Sequence, residues 1–397
     1  MKSVADEAKI DAFLSRGVEN IYPSRDFLKA KLMKGEPMTL YLGIDPTGPS
    51  LHLGHAIVLK KMREFQDLGH KLILLIGDFT GMIGDPTDKS AARKRQTRDE
   101  VLANAKLYKD QASKIIRFSG LNAAEIKYNS KWLAKMPFAS VVELAAHFTV
   151  QQMLERDMFE TRISEAKPIY LHEFLYPMMQ GYDSVALDVD GEIGGNDQTF
   201  NMLAGRTLMK EMLGKEKFVI AMKLLVDPAG KKMGKTEGNM ITLQDAPADM
   251  FGKVMSWTDG MIRPGFEILT SVPMNEVEAK EKAGINPRDL KDSLGREIVS
   301  FFFGKEEAAA ASEGFRKLFQ AKEAPEEMQE FKIHEKKKVI DILAESGIVE
   351  SKSDARRQME QGGVKVDGSV VSDINAEVSA GAVIQKGKRF FIRIVSS

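Results

Sequence analysis

Short apolar runs alternate with helical patterns and Gly- or Asp-rich loops along the first half of the chain. Residues 38–44 (MTLYLGI) form a β-prone run that Asp45, Pro46, Thr47, Gly48 and Pro49 stop. From Leu53 to Gly69 the pattern turns helical, with Ala56, Leu59, Lys60, Arg63 and Phe65 along it. Residues 71–76 (KLILLI) are almost fully apolar, as a strand buried on both faces requires. A Gly/Asp loop (GDFTGMIGDPTDKS, 77–90) and a charged, helix-like stretch over 90–118 follow. Strand, helix, strand, loop, helix is the grammar of a parallel α/β sheet.

Residues 120–175 read as helical or mixed, an insertion between two halves of the sheet. Residues 184–189 (SVALDV) read as a further strand, leading to a Gly-rich turn that opens a helix. Residues 217–222 (KFVIAM) give another strand, followed by the polar loop KLLVDPAGKKMGKTEGN. Helical patterns broken by Pro247, Pro264, Pro273 and Pro287 point to a small helical domain over 245–320. EAPEEMQE (323–330) is poor in large apolar residues and reads as a linker. Residues 331–397 then form a separate unit, with helices over 336–346 and 353–361 and short strands in GGVKVDG, AGAVIQKG and KRFFIRI.

Composition narrows the function. Lys+Arg and Asp+Glu are both 57, so any nucleic-acid surface is a local patch. Lys352, Arg356, Arg357, Lys386, Lys388 and Arg389 form one near the end. The absence of cysteine excludes disulfides and Cys-based zinc sites. The first residues, MKSVADEAKIDAFLSRGV, mix acids and bases and lack the apolar core of a secretion signal. No apolar stretch is long enough for a membrane span. A cytoplasmic protein that engages no membrane is expected.

Four segments carry candidate chemistry. In YLGIDPTGPSLHLGHA (41–56), His52 and His55 stand three apart with no third metal ligand nearby. They follow a Pro-Thr-Gly-Pro turn (46–49) where a helix begins, which puts two imidazoles and free N–H groups at a helix N-terminus suited to phosphate. The alternative is that they merely cap the helix. KKMGKT (231–236) sets Lys232 and Lys235 around a glycine in a polar loop, where ammonium groups can follow charge on leaving phosphates; a solvated surface loop is the other reading. YPMMQGYDS (176–184) and GGNDQ (194–198) set Gln180, Asp183, Asp197 and Gln198 among apolar neighbours. Such groups must be paired, by a small polar ligand or by one another. The loop 77–90 lies at a strand's carboxyl end, where open α/β sheets bind ligands.

Together these segments resemble the tyrosyl-tRNA synthetase family over nearly the whole chain. HLGH (52–55) is similar to the family's HIGH motif and KMGKT (232–236) to its KMSKS motif; SKSDARRQMEQGGVKVDG and VIQKGKRF resemble its S4-type RNA-binding tail. The resemblance implies an α/β, Rossmann-like catalytic domain over 1–230 with a connecting insertion at about 120–175. It further implies a KMSKS-like loop and helical tRNA-recognition domain over 231–322, the 323–330 linker, and an α+β S4-like domain over 331–397. By the same carry-over, Tyr41 and Asp183 would bind the phenolic hydroxyl of L-tyrosine, and Tyr176, Gln180 and Asp85 its α-ammonium. Asp45 and Gln198 would neighbour the amino acid and its reacting carboxylate. Asp197, beside Gly195, would meet the ribose of ATP. Thr47 and His52 would meet the γ-phosphate, and His55, Lys232 and Lys235 would complete the phosphate grip. Arg356, Arg357, Lys386 and Lys388 would hold tRNA(Tyr). Mg²⁺ is expected on the phosphates, without a dedicated protein site, and the family forms homodimers.

The implied chemistry needs no protein nucleophile. The tyrosine carboxylate attacks the α-phosphorus of ATP, pyrophosphate leaves, and the terminal ribose hydroxyl of the tRNA then attacks the mixed anhydride. Gly48, where alanine is usual, is expected to loosen the DPTGP turn. A tryptophanyl enzyme, a decayed RNA-binding core and a nicotinamide enzyme are the rival readings. Hydroxyl-directed Tyr41 and Asp183, intact phosphate ligands, and the lack of GxGxxG after the first strand count against each in turn.

Overall fold

Almost unbroken apolar runs build the centre of a six-stranded sheet. Its strands are β1 (Val18–Tyr22), β2 (Thr39–Ile44), β3 (Lys71–Ile76), β4 (Glu125–Tyr128), β5 (Gly191–Gly195) and β6 (Phe218–Met222), in the order β1-β6-β5-β2-β3-β4. β2 to β6 run parallel, and β1 closes one edge antiparallel to β6. The structure is a computed structural model that describes residues 3–85, 96–226, 240–320, 328–387 and 390–396. β6 is buried at every position and β3 at all but its first, as strands covered on both faces must be.

The order of the strands makes the site. From β2 the chain lays β3 and β4 on one side, then returns to lay β5 and β6 on the other. Only Leu40 with Gly191 and Tyr41 with Glu192 pair across the reversal between β2 and β5. Beyond Tyr41 the two strands part and leave a crevice at their carboxyl ends, where ligands of open sheets bind. The helix Leu53–Asp67 follows β2, and the helices Leu171–Leu187 and Thr199–Leu213 flank β5.

Several elements differ from the sequence reading. Residues 184–189 do not form a strand. The helix Leu171–Leu187 runs through them, Asp188 ends it with φ 49°, and β5 begins at Gly191. Close packing favours the helix: a Cβ on Gly181 would lie 3.1 Å from the Gly205 nitrogen of the facing helix. Residues 125–128, read as part of a helical or mixed insertion, are the edge strand β4. Pro247 and Pro287 begin helices rather than break them, because their missing N–H has no partner to lose in a first turn.

The chain divides into two compact units, residues 1–305 and 306–397. In the second, β7 (Gln329–Ile333), β8 (Lys337–Lys338), β9 (Val364–Val366), β10 (Ser369–Val370), β11 (Glu377–Val378), β12 (Val383–Lys386) and β13 (Phe390–Ser396) form a five-stranded sheet, β10-β9-β12-β13-β7, and the pair β11-β8. Gln329 and Glu330, read as linker, are thus sheet residues. The helices Val339–Glu345 and Lys352–Glu360 bury Val339, Ile342, Leu343, Ala355 and Met359 in one core with Ile384 and Ile392.

A buried histidine gives the first unit a pH dependence. His70 accepts the Met38 N–H through Nδ1 at 3.2 Å and stacks on Phe65 with ring centroids 4.2 Å apart. Burial pushes its pKa from 6.5 down to about 4. Below about pH 6.5 the unfolded chain takes up this proton while the folded one does not, so stability is lost as pH falls towards 4. We expect this ring to contribute about 3 kcal/mol of that loss. Urea unfolding of the parent and of His70→Gln between pH 7 and 4 checks it. The variant should show the shallower decline, and equal slopes would contradict it.

Candidate active site

Two carboxyl groups at the crevice are joined through one asparagine. Asp45, just past β2, accepts from Tyr176 Oη at 2.8 Å and from Thr80 Oγ1 at 2.6 Å. Thr80 Oγ1 accepts from Asn129 Nδ2 at 3.0 Å. The same Asn129 Nδ2 donates to Asp183 Oδ2 at 3.2 Å, and Trp132 Nε1 donates to Asp183 Oδ1 at 2.7 Å. Asn129 follows β4, and its Oδ1 accepts the Phe79 N–H at 2.9 Å, which fixes its orientation. Glycine is required at position 77, where a Cβ would fall 1.9 Å from Asp45 Oδ1. Burial pushes the Asp183 carboxyl well above the usual carboxylate range, and the Trp132 and Asn129 donors pull against that rise. Burial also keeps the Tyr176 phenol protonated, with Asp45 adding to the effect.

Tyr41 enters from β2. Its hydroxyl lies 2.9 Å from Ser184 Oγ and donates to the Gln180 carbonyl at 3.4 Å, on the same helical turns that carry Asp183. Gln180 Nε2 donates to Glu192 Oε1 at 3.0 Å. Farther along the crevice, Gln198 Nε2 donates to Asp85 Oδ2 at 2.7 Å, and Asp85 faces Arg156 at 3.7 Å. Gly195 ends β5 and Asp197 sits in the 3-10 turn Asn196–Gln198 beside it.

The histidine pair caps its helix and still keeps donors for a ligand. His52 Nδ1 accepts the Gly54 N–H at 3.1 Å, and His55 Nδ1 accepts the His52 N–H at 3.2 Å. The Leu53 N–H goes to the Ile241 carbonyl at 3.0 Å. The helix N–H groups expected to be free are therefore taken at 52, 53 and 54. With each Nδ1 accepting, the hydrogen of each ring stands on Nε2. Burial lowers His52 to about 4 and His55 well below 6.5, so both rings are neutral at pH 7. The pair offers two uncharged N–H donors. Nor is the DPTGP turn loose: Tyr108 Oη donates to the Gly48 carbonyl at 2.8 Å, Gln111 Nε2 to Pro49 at 2.8 Å and Asn104 Nδ2 to Pro46 at 3.0 Å. Thr47 is exposed on this turn.

Residues 33–320 match the family described as tRNA synthetases class I (W and Y). The chain belongs to this family. Residues 338–384 match the S4 domain. Tyrosine--tRNA ligase of Haemophilus ducreyi is 45% identical over 96% of this chain and 97% of its own length. Tyrosine--tRNA ligase of Moorella thermoacetica is 45% identical over 96% and 94%, and tyrosine--tRNA ligase 2 of Vibrio cholerae is 44% identical over 98% and 99%. Among solved structures, a C-terminally truncated mitochondrial tyrosyl-tRNA synthetase of Aspergillus nidulans aligns with TM-score 0.64 at 23% identity, covering 78% of this chain and 94% of its own. The tyrosyl-tRNA synthetase of Archaeoglobus fulgidus, complexed with L-tyrosine, aligns with TM-score 0.60 at 19% identity, covering 77% and 100%. Both share the fold.

In this class I synthetase, Tyr41, Asp45, Tyr176, Gln180 and Asp183 meet around one crevice, with the Asp85–Gln198 pair along it. Lys232, Lys235 and Lys388 lie outside the described residues. In the S4 unit Arg356 is exposed, Arg357 pairs with Asp354, and Lys386 Nζ donates to the Ile348 carbonyl at 2.7 Å. Sequence reasoning missed Thr80, Asn129, Trp132, Ser184, Glu192 and Lys217. The last two carried a signal, since charged residues in or beside buried strands require partners.

The Trp132 bond to Asp183 has a measurable worth. Trp132→Phe keeps the bulk of the ring and removes one donor from a buried carboxyl. We expect it to lower unfolding free energy by about 1–3 kcal/mol, the cost of an unsatisfied buried acceptor. Urea denaturation at pH 7 checks this, and an unchanged midpoint and slope would contradict it.

Proposed function

We propose that this synthetase activates L-tyrosine with ATP and transfers it to the 3′-terminal ribose of tRNA(Tyr). The observation that carries this reading is Asp183, a buried carboxyl held by Trp132 and Asn129 on the helical turns against which the Tyr41 hydroxyl rests. A substrate phenol inserted there donates to Asp183 and accepts from Tyr41. A site built to hydrogen-bond a hydroxyl rejects phenylalanine by leaving its own polar groups unpaired, by roughly 10⁴–10⁵-fold. The relatives named tyrosine--tRNA ligase support the same substrate.

The remaining roles are those that the family resemblance implies. Tyr176, Gln180 and Asp85 suit the α-ammonium, and Asp45 and Gln198 suit the amino acid and its carboxylate. Asp197, beside Gly195, suits the ribose. The Nε2–H donors of His52 and His55, with Thr47, Lys232 and Lys235, suit the ATP phosphates. These histidines present hydrogens rather than lone pairs, so they fit phosphate oxygens and not a metal ion. Mg²⁺ enters only as the counter-ion that ATP brings. The tyrosine carboxylate displaces pyrophosphate at the α-phosphorus, and protein groups work by aligning the two substrates and stabilising charge on the leaving phosphates.

Arg356, Arg357, Lys386 and Lys388 are read as contacts to tRNA phosphates, whose contribution weakens with salt. No described helix is long and apolar enough to cross a membrane; we take the cytoplasm, where ATP and tRNA are met, as the site of action. A homodimer is supported by exposed apolar side chains on and beside the insertion: Phe138 at 82%, Val150 at 65% and Leu171 at 83%. Phe138→Glu with Leu171→Glu should convert a dimer into a monomer by light scattering; a parent that is itself monomeric would contradict the assignment.

Amino-acid-dependent pyrophosphate exchange over a panel that includes tyrosine, phenylalanine and tryptophan tests the substrate. Tyrosine should drive exchange, and exchange driven best by another amino acid would overturn the reading. His52→Ala should slow adenylate formation by roughly 10²–10³ while tyrosine affinity changes little, because its donor acts on charge that develops in the transition state. Single-turnover rates with equilibrium tyrosine binding separate the two; weakened binding at an unchanged rate would contradict the role.

A further inference from the structure

A buried cation stands behind the Tyr41 hydroxyl. Lys217, immediately before β6, pairs with Glu192 of β5, and the two side chains are 0% and 2% exposed. Lys217 Nζ donates to Glu192 Oε2 and, at 2.7 Å, to Ser184 Oγ. Ser184 Oγ lies 2.9 Å from Tyr41 Oη. Glycine at 205 makes the room: a Cβ there would fall 2.5 Å from Lys217 Nζ and 2.6 Å from Ser184 Oγ. The ion pair takes no part in the chemistry described above, yet a buried pair is costly to build.

We propose that Lys217 is a positioning residue for tyrosine selection, which acts through Ser184 to aim the Tyr41 hydroxyl hydrogen at the substrate's phenol oxygen. The proposal rests on the reading that Tyr41 and Asp183 flank that phenol. An ammonium group only donates, so Ser184 Oγ must accept from it. Among the described residues, the one acceptor within reach of Ser184's own hydrogen is the Tyr41 oxygen. Any other arrangement leaves a buried hydroxyl hydrogen unpaired. The Tyr41 hydrogen is then free to point away from Ser184. Pointing away, it meets the Gln180 carbonyl at 3.4 Å and the Glu192 carboxylate, which Lys217 and Gln180 already engage, so a phenol oxygen competes with a long bond and a shared acceptor. The substrate's own hydrogen is left for Asp183. The chain thus runs in one direction from cation to carboxyl, Lys217 to Ser184 to Tyr41 to substrate to Asp183, and each donor polarises the next. Burial keeps the Tyr41 phenol protonated, as a donor must be. Glu192, besides balancing the ammonium, holds the Gln180 side chain at 3.0 Å.

Two variants test the chain. Ser184→Ala removes the relay and leaves the ion pair whole. Lys217→Met with Glu192→Gln removes both charges together, so no lone buried charge remains, and the glutamine oxygen still accepts from Gln180. In pyrophosphate exchange, each should lose about tenfold in kcat/KM for tyrosine, mainly through KM, with phenylalanine and the KM for ATP unmoved. Loss shared equally by tyrosine and phenylalanine, or an unchanged ratio in Ser184→Ala, would overturn the proposal. Should the double variant fail to fold, Ser184→Ala decides alone. Tyr41→Phe separates the two levels of the account. If it lowers the tyrosine-to-phenylalanine ratio while Ser184→Ala does not, only the role of Lys217 falls. If it too leaves the ratio unchanged, the hydroxyl site itself is misassigned and the proposal falls with it.

Discussion

Burying the carboxyl groups of Asp183 and Glu192 beside one crevice constrains everything around it. Each has two oxygens that need donors, and an unsatisfied one costs on the order of 1–3 kcal/mol. Trp132 and Asn129 serve Asp183; Gln180 and Lys217 serve Glu192. These donors come from the segment after β4, from the helix Leu171–Leu187 and from the start of β6. The edge strand β4 therefore matters beyond the sheet, because it delivers Asn129 and Trp132 to a carboxyl on the opposite side of the crevice. Asn129 also ties Asp183 to Asp45 through Thr80, so the helix Leu171–Leu187 and the carboxyl end of β2 share one network.

The histidine pair follows a different logic. His52 and His55 spend their Nδ1 atoms on capping and keep neutral rings with the hydrogen on Nε2. Capping and phosphate binding, which look like alternatives in the sequence, are compatible because an imidazole has two nitrogens. Uncharged donors also avoid holding a buried cation before ATP arrives.

How much was legible in the sequence depended on the kind of signal. β2, β3 and β6 were readable because a strand covered on both faces is an unbroken apolar run. β5 was not: GEIGG holds three glycines and a single large apolar residue, and the apolar SVALDV just before it drew the strand assignment, although helix packing through Gly181 and Gly205 decides its state. The candidate residues Tyr41, Asp45, Tyr176, Gln180 and Asp183 were found from motifs, and the fold brings them together. Asn129 and Trp132 carried no local mark, since their roles exist only through long-range contacts. The free N–H groups expected at His52 failed for a related reason: the Ile241 carbonyl that takes the Leu53 N–H arrives from nearly two hundred residues away. Likewise the tight DPTGP turn is held by Tyr108 and Gln111, not by its own composition.

The central claim is that Asp183 is a recognition group kept buried for the substrate hydroxyl rather than a framework residue. Its most direct measurement is the ratio of adenylation efficiencies for tyrosine and phenylalanine in Asp183→Ala, on protein shown to be folded by its thermal transition. The account predicts that the ratio collapses by several orders of magnitude, because the acceptor that distinguishes the two amino acids is gone. A folded variant that keeps the parent's preference for tyrosine would contradict it.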